Sequence, residues 1–440
     1  MGAQGQTWFQ VLEADGARVH VLPTRQFKTV TVKLTVRLPL TAERVTANAL
    51  VPFVLRRGSR RLPTSQALAR ALEAMYGARL SVEVAKVGEV QLIEVKGEAV
   101  ADPFLPGQTG GDAQLRALLQ LLLEVLYDPA TEGGCFVANY VDQERDILRR
   151  RIEGVINNKR QYAVHRLFEE MCQGEPFSLH RLGRLEDLGA LTPQRLFEHY
   201  RKEVLGRRVE VAAVGPVEPA RVAELVQQAL ERLTFRPQAR LPEPPPRQGR
   251  DRDGAGQTRF VTEAQDVRQG VLSLGFRTGP DFASAQYPAL LMYDGVLGGF
   301  PHSKLFVHVR ERHSLAYFVY SRLEPTKGVL VISAGIDPSR RDQAMEIIDR
   351  QLAAMAAGEI SPEELEATRM GTCRRLMVAS DDPWSLLEGW SVGLVNGRQR
   401  PPDELLGELA RVSRDMVVEV ASAIRRDTVY FLTSRDGPGP

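Results

Sequence analysis

Hydrophobic and polar residues alternate strictly over residues 30–38, with five aliphatic side chains on one side and Thr, Lys, Thr and Arg on the other. A period of two is typical of an amphipathic strand that lays one face on a helix layer. Periodicity and turn residues predict the other elements of the first half: helices over 42–57, 65–75, 112–127 and 137–158, a helix beginning at 193, and strands over 80–84, 90–95 and 209–214.

The second half of the chain repeats this order of elements. The predicted strands cover 270–276, 315–323, 328–336 and 428–434, and the predicted helices cover 284–297, 340–357, 362–378, 384–394 and 413–423. The two halves also close alike, since 188–215 and 409–434 each run from a helical pattern into a strand rich in apolar residues. We interpret this as a tandem repeat of two α+β domains of about 200 residues each. Coincidence between generic helix–strand endings is the alternative.

A segment rich in Pro, Arg, Asp and Gly separates the halves at 235–257. It has almost no apolar residues, so it cannot bury a core and is typical of an extended linker. The predicted organisation is therefore an N-terminal domain over 1–234, the linker, and a C-terminal domain over 258–440. Each domain is predicted to be a mainly antiparallel sheet packed with helices.

Composition excludes several classes of function. The 440 residues carry a net charge of +2, so no basic field indicates nucleic acid. Three widely spaced cysteines argue against a disulfide framework and suit a reducing compartment. The N-terminus lacks a signal-peptide pattern, and the most apolar predicted helix, at 115–126, is too short to cross a bilayer. We expect a cytoplasmic protein.

The most informative stretch is 293–320, YDGVLGGFPHSKLFVHVRERHSLAYFVY. Its pattern predicts a helix that ends near Ser314 and is followed by a strand. Arg310 and Tyr317 lie near that junction, seven positions apart. A guanidinium and a phenol that converge from adjacent elements can hold a peptide carbonyl or an oxyanion. A surface Arg and a core Tyr are the plainer interpretation of the same residues.

Other catalytic patterns are absent from the sequence. No two of the seven histidines are four apart, so neither H-E-x-x-H nor H-x-x-E-H occurs. The sequence contains no G-x-S-x-G, no P-loop and no dinucleotide fingerprint. The pair Gly298-Gly299 is a weak phosphate signal and is more simply explained by a tight turn or a close backbone approach.

The order of elements, the duplicated halves, the linker and the stretch LGGFPHSKLFVHVRERHSLAYFV resemble the insulinase/pitrilysin family of zinc peptidases. The resemblance implies two look-alike domains that form half of a clam-shell around an extended peptide. It implies that Arg310 and Tyr317 bind substrate backbone, with Gly298 and Gly299 matching the glycines before them.

The same resemblance implies that the metal site is lost. Aligned on Gly58, the inverted zinc motif falls on residues 49–53, where Ala49 and Phe53 replace the histidine ligands and Pro52 replaces the general base. The later helix keeps Glu144, but Arg151 stands at the position of the glutamate ligand. A cation there would repel zinc, so we expect no catalytic residue, metal or other cofactor on this chain.

This pattern is similar to the non-catalytic partner of two-subunit family members, in which a zinc-bearing homologue supplies the metal. Within the family it looks closest to a bacterial subgroup linked to modification of elongation factor P and encoded beside an active homologue. The expected partners are that homologue and a peptide or small-protein substrate, without nucleic acid or membrane. The alternative is an inactive scaffold or peptide-binding protein, able to form a homodimer, in which the Arg-Tyr pair is a relic. A third hypothesis is a peptidase that uses a different site, but the sequence shows no such site.

Overall fold

The structure, a computed structural model, describes residues 8–105, 111–234 and 257–435. The chain divides into two compact units. The first draws on Met1–Glu153, Leu179–Pro245 and Asp381–Ser391, and the second on Gly154–Ser178, Pro246–Ser380 and Val392–Pro440. The predicted linker at 235–257 lies outside the described residues except for Gln257, and the predicted domain boundaries stay a prediction.

The first unit is built on a six-stranded mixed sheet. The strands of the first half are β1 (Gln10–Ala14), β2 (Ala17–Pro23), β3 (Thr29–Pro39), β4 (Arg79–Val87), β5 (Val90–Val100), the short pair β6 (Thr131–Glu132) and β7 (Cys135–Phe136), and β8 (Val209–Gly215). The sheet has the order β1-β2-β8-β3-β5-β4, in which β2 and β8 are parallel and the other neighbours antiparallel. The strand predicted from the alternation at 30–38 is confirmed as β3.

Helices cover the aliphatic face of this sheet. The helices of the first half are α1 (Val45–Leu55), α2 (Ser65–Ala74), α3 (Ala113–Tyr127), α4 (Ala138–Glu153), α5 (Lys159–Met171), α6 (Pro193–His199) and α7 (Pro219–Glu231). The even-numbered side chains of β3 from Val30 to Leu38 are buried in one cluster with α1 and α3. Helix α5 packs instead on the second sheet, where Leu167 and Met171 are buried in one cluster with Val271 and Tyr430.

The second unit contains a five-stranded mixed sheet. Its strands are β9 (Arg259–Gln265), β10 (Gly270–Arg277), β11 (Ala316–Glu324), β12 (Val329–Ile336) and β13 (Arg425–Ser434). The remaining helices are α8 (Tyr287–Asp294), α9 (Arg341–Ala356), α10 (Pro362–Ser380), α11 (Pro383–Asn396), α12 (Pro402–Ala410) and α13 (Arg414–Ala423), with π-helical segments at Gly295–Gly299 and Phe306–Arg312. Among the described residues, no helix is long and apolar enough to cross a membrane.

The two sheets share one topology. The second has the order β11-β12-β10-β13-β9, which matches β4-β5-β3-β8-β2 strand by strand. The pairing directions also match, because β13 and β9 are parallel, as β8 and β2 are, while the other described pairs in this sheet are antiparallel. The expected α+β fold with repeated halves is thus confirmed. Each sheet is mainly antiparallel and becomes mixed through one parallel pair of described strands.

The polar face of the first sheet is buried as well. Lys33 of β3 is fully buried, with its Nζ 2.6 Å from Glu94 Oε1 and 3.2 Å from Glu388 Oε2. Lys96 reaches the same two carboxylates at 3.0 Å each. Residues 381–391 therefore cover this face from within the first unit, and opposite charges compensate one another there.

Candidate functional site

The α1 residues of the degenerate metal motif lie in the core of the first unit, whereas Arg151 on α4 is exposed. Ala49, Pro52 and Phe53 are all buried on α1, and Glu144 and Arg151 lie on the neighbouring α4. The motif positions thus lie on two helices that contact each other, and none of the three side chains on α1 can coordinate a metal.

Cations occupy the surroundings of Phe53 instead. The guanidinium of Arg151 lies 4.7 Å from the centre of the Phe53 ring and that of Arg56 lies 5.0 Å from it. The buried Glu144 carboxylate accepts hydrogen bonds from Arg56 Nη2, at 2.7 Å, and from Arg57 Nε. Cation–π contacts and ion pairs thus stabilise a positively charged cluster.

This cluster does not fit a zinc ion. The Glu144 carboxylate is already paired with Arg56 and Arg57. Arg151, a third cation, stands at the position where a metal ligand would be needed. Within the described ranges, no group of three or more His, Cys, Asp or Glu side chains could hold a metal ion.

Arg310 lies on the π-helical segment Phe306–Arg312, as the helical pattern predicted. Its side chain is exposed, and its guanidinium lies over the Phe306 ring, 4.7 Å from the ring centre. The helix ends where predicted: Ser314 takes a positive φ of 50°, and Leu315 N–H donates to Val309 O. The chain then enters β11 directly, so that Arg310 and Tyr317 flank one tight connection.

Tyr317 is the exposed member of a β-bulge. Ala316 pairs with Ile336 and Phe318 with Gly335, so Tyr317 is the extra residue between them. Its side chain is 72% exposed, which excludes the core Tyr of the plainer interpretation. Because bulges re-aim side chains and β11 is an edge strand, the phenol and a free strand edge both face outward.

The glycine pair lets the preceding helix approach β11. A Cβ on Gly298 would stand 2.4 Å from the Ser321 backbone nitrogen, and one on Gly299 would stand 3.2 Å from Asp294 O. Gly298 is therefore required by a close backbone approach. Gly298 thus packs against the strand that carries Tyr317, whereas Gly299 faces Asp294 of the preceding helix.

Asp294, the last residue of α8, is hydrogen-bonded to β11 at the same point. Ser321 Oγ donates to Asp294 Oδ1 at 2.6 Å and to its backbone oxygen at 3.1 Å. Burial raises the pKa of Asp294 to about 6, against the lowering effects of the Ser321 hydrogen bond and of Arg375 and Arg322. The helix–strand junction thus holds a carboxyl group that titrates near neutrality.

We expect Asp294→Asn to stabilise the protein above pH 7, because asparagine keeps the Oδ1 acceptor without the cost of a buried charge. An acid whose folded pKa is raised contributes its full stability below the unfolded pKa, here about 4, and loses it as the pH rises through about 6. At pH 8 the difference should approach about 3 kcal/mol at most, and it should vanish below about pH 4. Urea unfolding of both proteins across this pH range measures it, and parallel stability curves would contradict the raised pKa.

A cleft of about 710 Å³ opens beside Tyr317 within the second unit. It is lined by residues 158–161 at the start of α5, by residues 266–269 of the β9–β10 connection, and by Val271, Tyr317 and Phe318. The guanidinium of Arg160 lies 3.8 Å from the centre of the Phe318 ring. Sequence reasoning missed Arg160 and Phe318, because nothing local connects 160 with 318.

Comparison with known proteins identifies the family. The sequence pattern of the family described as "Peptidase M16 inactive domain" matches residues 190–372. The chain is 33% identical over 422 residues to the probable inactive metalloprotease YmfF of Bacillus subtilis (strain 168), covering 96% of this chain and 97% of that protein. The chain belongs to the M16 peptidase family. The expected insulinase-like resemblance is confirmed at that level.

Solved structures agree with an M16 fold. The crystal structure of a conserved protein from Enterococcus faecalis V583 matches with a TM-score of 0.87 at 24% identity, over 98% of this chain and 100% of that one. The peptidase M16 inactive domain from Pseudomonas fluorescens matches with a TM-score of 0.77 at 16% identity, over 98% and 100% of the two chains. At these identities the structures establish the fold alone. This M16 chain is a homologue of a probable inactive metalloprotease.

Proposed function

We propose that this chain is the non-catalytic subunit of a heterodimeric M16 zinc protease and contributes substrate-binding residues to its partner's metal site. The observation that carries the proposal is a contrast within one chain. The motif positions Ala49, Pro52 and Phe53 are buried apolar residues and Arg151 lies over the Phe53 ring, so no metal ligand stands there, whereas Arg310 and Tyr317 are exposed beside one tight helix–strand connection.

The proposed role of the Arg-Tyr pair is to hold substrate backbone. Arg310 offers several N–H donors to a peptide carbonyl, and the Tyr317 hydroxyl offers one more. Donors that are fixed before substrate arrives also stabilise negative charge as it develops on that oxygen. Gly298 and Gly299 would support this geometry from behind, and the partner would supply the metal.

The free edge of β11 suits an extended peptide. Its backbone groups can add a further strand to the sheet, so that main-chain hydrogen bonds give affinity whatever the side chains. The likeness to YmfF over nearly the whole chain also supports, as part of the proposal, membership of the bacterial subgroup linked to elongation factor P modification.

Reconstitution tests the proposal. The chain is mixed with a homologue from the same organism that carries H-x-x-E-H, and cleavage of a quenched-fluorescence peptide pool is followed. We expect the mixture to cleave peptides at least about tenfold faster than the zinc-bearing homologue alone, since the pair adds transition-state contacts. Equal rates, with the two chains shown to bind each other, would favour the scaffold alternative.

A further inference from the structure

The cleft beside Tyr317 carries more positive than negative charge. Lys159, Arg160 and Arg268 line it, and Asp266 is the one carboxylate in its lining. Lys159 Nζ donates to the neutral Gln265 Oε1 at 2.6 Å, so its charge is not compensated there. In the described chain, neither arginine has a carboxylate within 4 Å of its guanidinium, and Asp266 forms no ion pair.

Arg160 is held in place without using its donors. Its guanidinium stacks on Phe318, and the Phe318 ring covers Gly335, where a Cβ would stand 2.3 Å from Cε1. Because Gly335 has no side chain, the Phe318 ring can pack over it. The ring in turn holds the Arg160 guanidinium by stacking. Across the described residues, the Arg160 side chain makes no hydrogen bond, so its planar fork of N–H groups is available.

A pre-oriented guanidinium with unused donors, beside a second arginine, matches a carboxylate. Tyr317 and its neighbour Phe318 both line the cleft, so the cleft adjoins the residue proposed to hold substrate backbone. The lining also contains three neutral amides, Asn158, Gln161 and Gln269, a type of side chain that can hydrogen-bond to a peptide without repelling its charge.

We propose that this cleft is a carboxylate-binding subsite, which makes acidic peptides the preferred substrates of this chain. The inference rests on the proposed peptide-binding function and adds a substrate class to it. The carboxylate comes from an Asp or Glu side chain or from the C-terminus of the peptide, and both present the same planar pair of oxygens to Arg160 and Arg268.

Four matched peptide pools separate these sources. Short rhodamine-labelled peptides of mixed Ala, Leu, Val and Ser carry a central Glu or Gln, each with a free or an amidated C-terminus. Their binding to the full-length chain is measured by fluorescence anisotropy at low ionic strength. Wild type is compared with Arg160→Gln, Arg268→Gln and Phe318→Leu, and with Arg411→Gln as an exposed control elsewhere in the same unit.

At least one carboxylate-bearing pool should bind wild type about fivefold more tightly than the pool without a carboxylate, as expected for a charge-assisted pair in a solvated cleft. Whichever of the Glu and C-terminal pools shows the gain identifies the source. Arg160→Gln should reduce the gain below about twofold, Phe318→Leu should reduce it while keeping the charge, and Arg411→Gln should leave it unchanged.

Two kinds of result would overturn the carboxylate subsite, and only one of them would also overturn the proposed peptide-binding function. If all pools bind equally, or the gain survives both arginine substitutions, the subsite is wrong and the proposed function stands. If no pool binds the chain at all, the proposed peptide-binding function fails, and the subsite fails with it.

Discussion

Replacing Arg310 by alanine is expected to lower peptide cleavage by the reconstituted pair about a hundredfold, the usual cost of removing one fixed donor from a developing oxyanion. Tyr317→Phe should lower it about tenfold, since it removes one hydroxyl hydrogen bond. Both side chains are exposed, so both variants should keep the unfolding free energy of the wild type within about 0.5 kcal/mol. Initial rates at saturating and limiting peptide separate an effect on kcat from one on KM.

Arg312→Ala is the matched control for Arg310→Ala. It removes an equally exposed arginine from the same helical segment, two positions on, and should leave the rate within twofold of wild type. If Arg310→Ala and Tyr317→Phe behave like this control while the pair remains active, the two residues are relics, and the chain supports its partner only as a scaffold.

Lys33→Met is expected to cost the first unit about 3 kcal/mol of unfolding free energy. Lys33 is fully buried between Glu94 and Glu388, and its loss leaves these two carboxylates to share Lys96. The loss of Lys33 is costly because the Glu94 side chain, which is 1% exposed, stays desolvated, whereas Glu388 is half exposed. Urea unfolding followed by circular dichroism should show an earlier first transition.

Lys28→Met serves as its control, since Lys28 precedes the same strand but is exposed. It should change the unfolding free energy by less than about 0.5 kcal/mol. A Lys33→Met protein as stable as this control would mean that the buried charge group contributes nothing net, as some buried ion pairs do.

Lys33 also shows where the sequence could predict the fold and where it could not. The alternation at 30–38 predicted β3 correctly, because a period of two depends only on neighbours. It could not reveal that the polar face is buried, because the cover comes from residues 381–391 of the other half. The strands β1, β2, β6, β7 and β9 and the helices α7 and α12 were not predicted.

The candidate site also has features that the sequence predicted and features that it could not predict. Residue types and spacing located Arg310 and Tyr317 and placed a helix end between them, as found. The bulge at Tyr317 depends on β12, and the need for Gly298 depends on Ser321. Arg160 meets Phe318 only because α5 packs on the second sheet, a contact that no local pattern encodes.

Peptide cleavage by the isolated chain, after incubation with zinc and with or without a chelator, tests most directly whether bond breaking belongs to a partner. The site around Phe53 and Arg151 offers cations and a ring where metal ligands would stand. We expect no cleavage in either condition and no bound zinc after desalting. Stoichiometric zinc together with cleavage that the chelator abolishes would contradict the proposed division of labour.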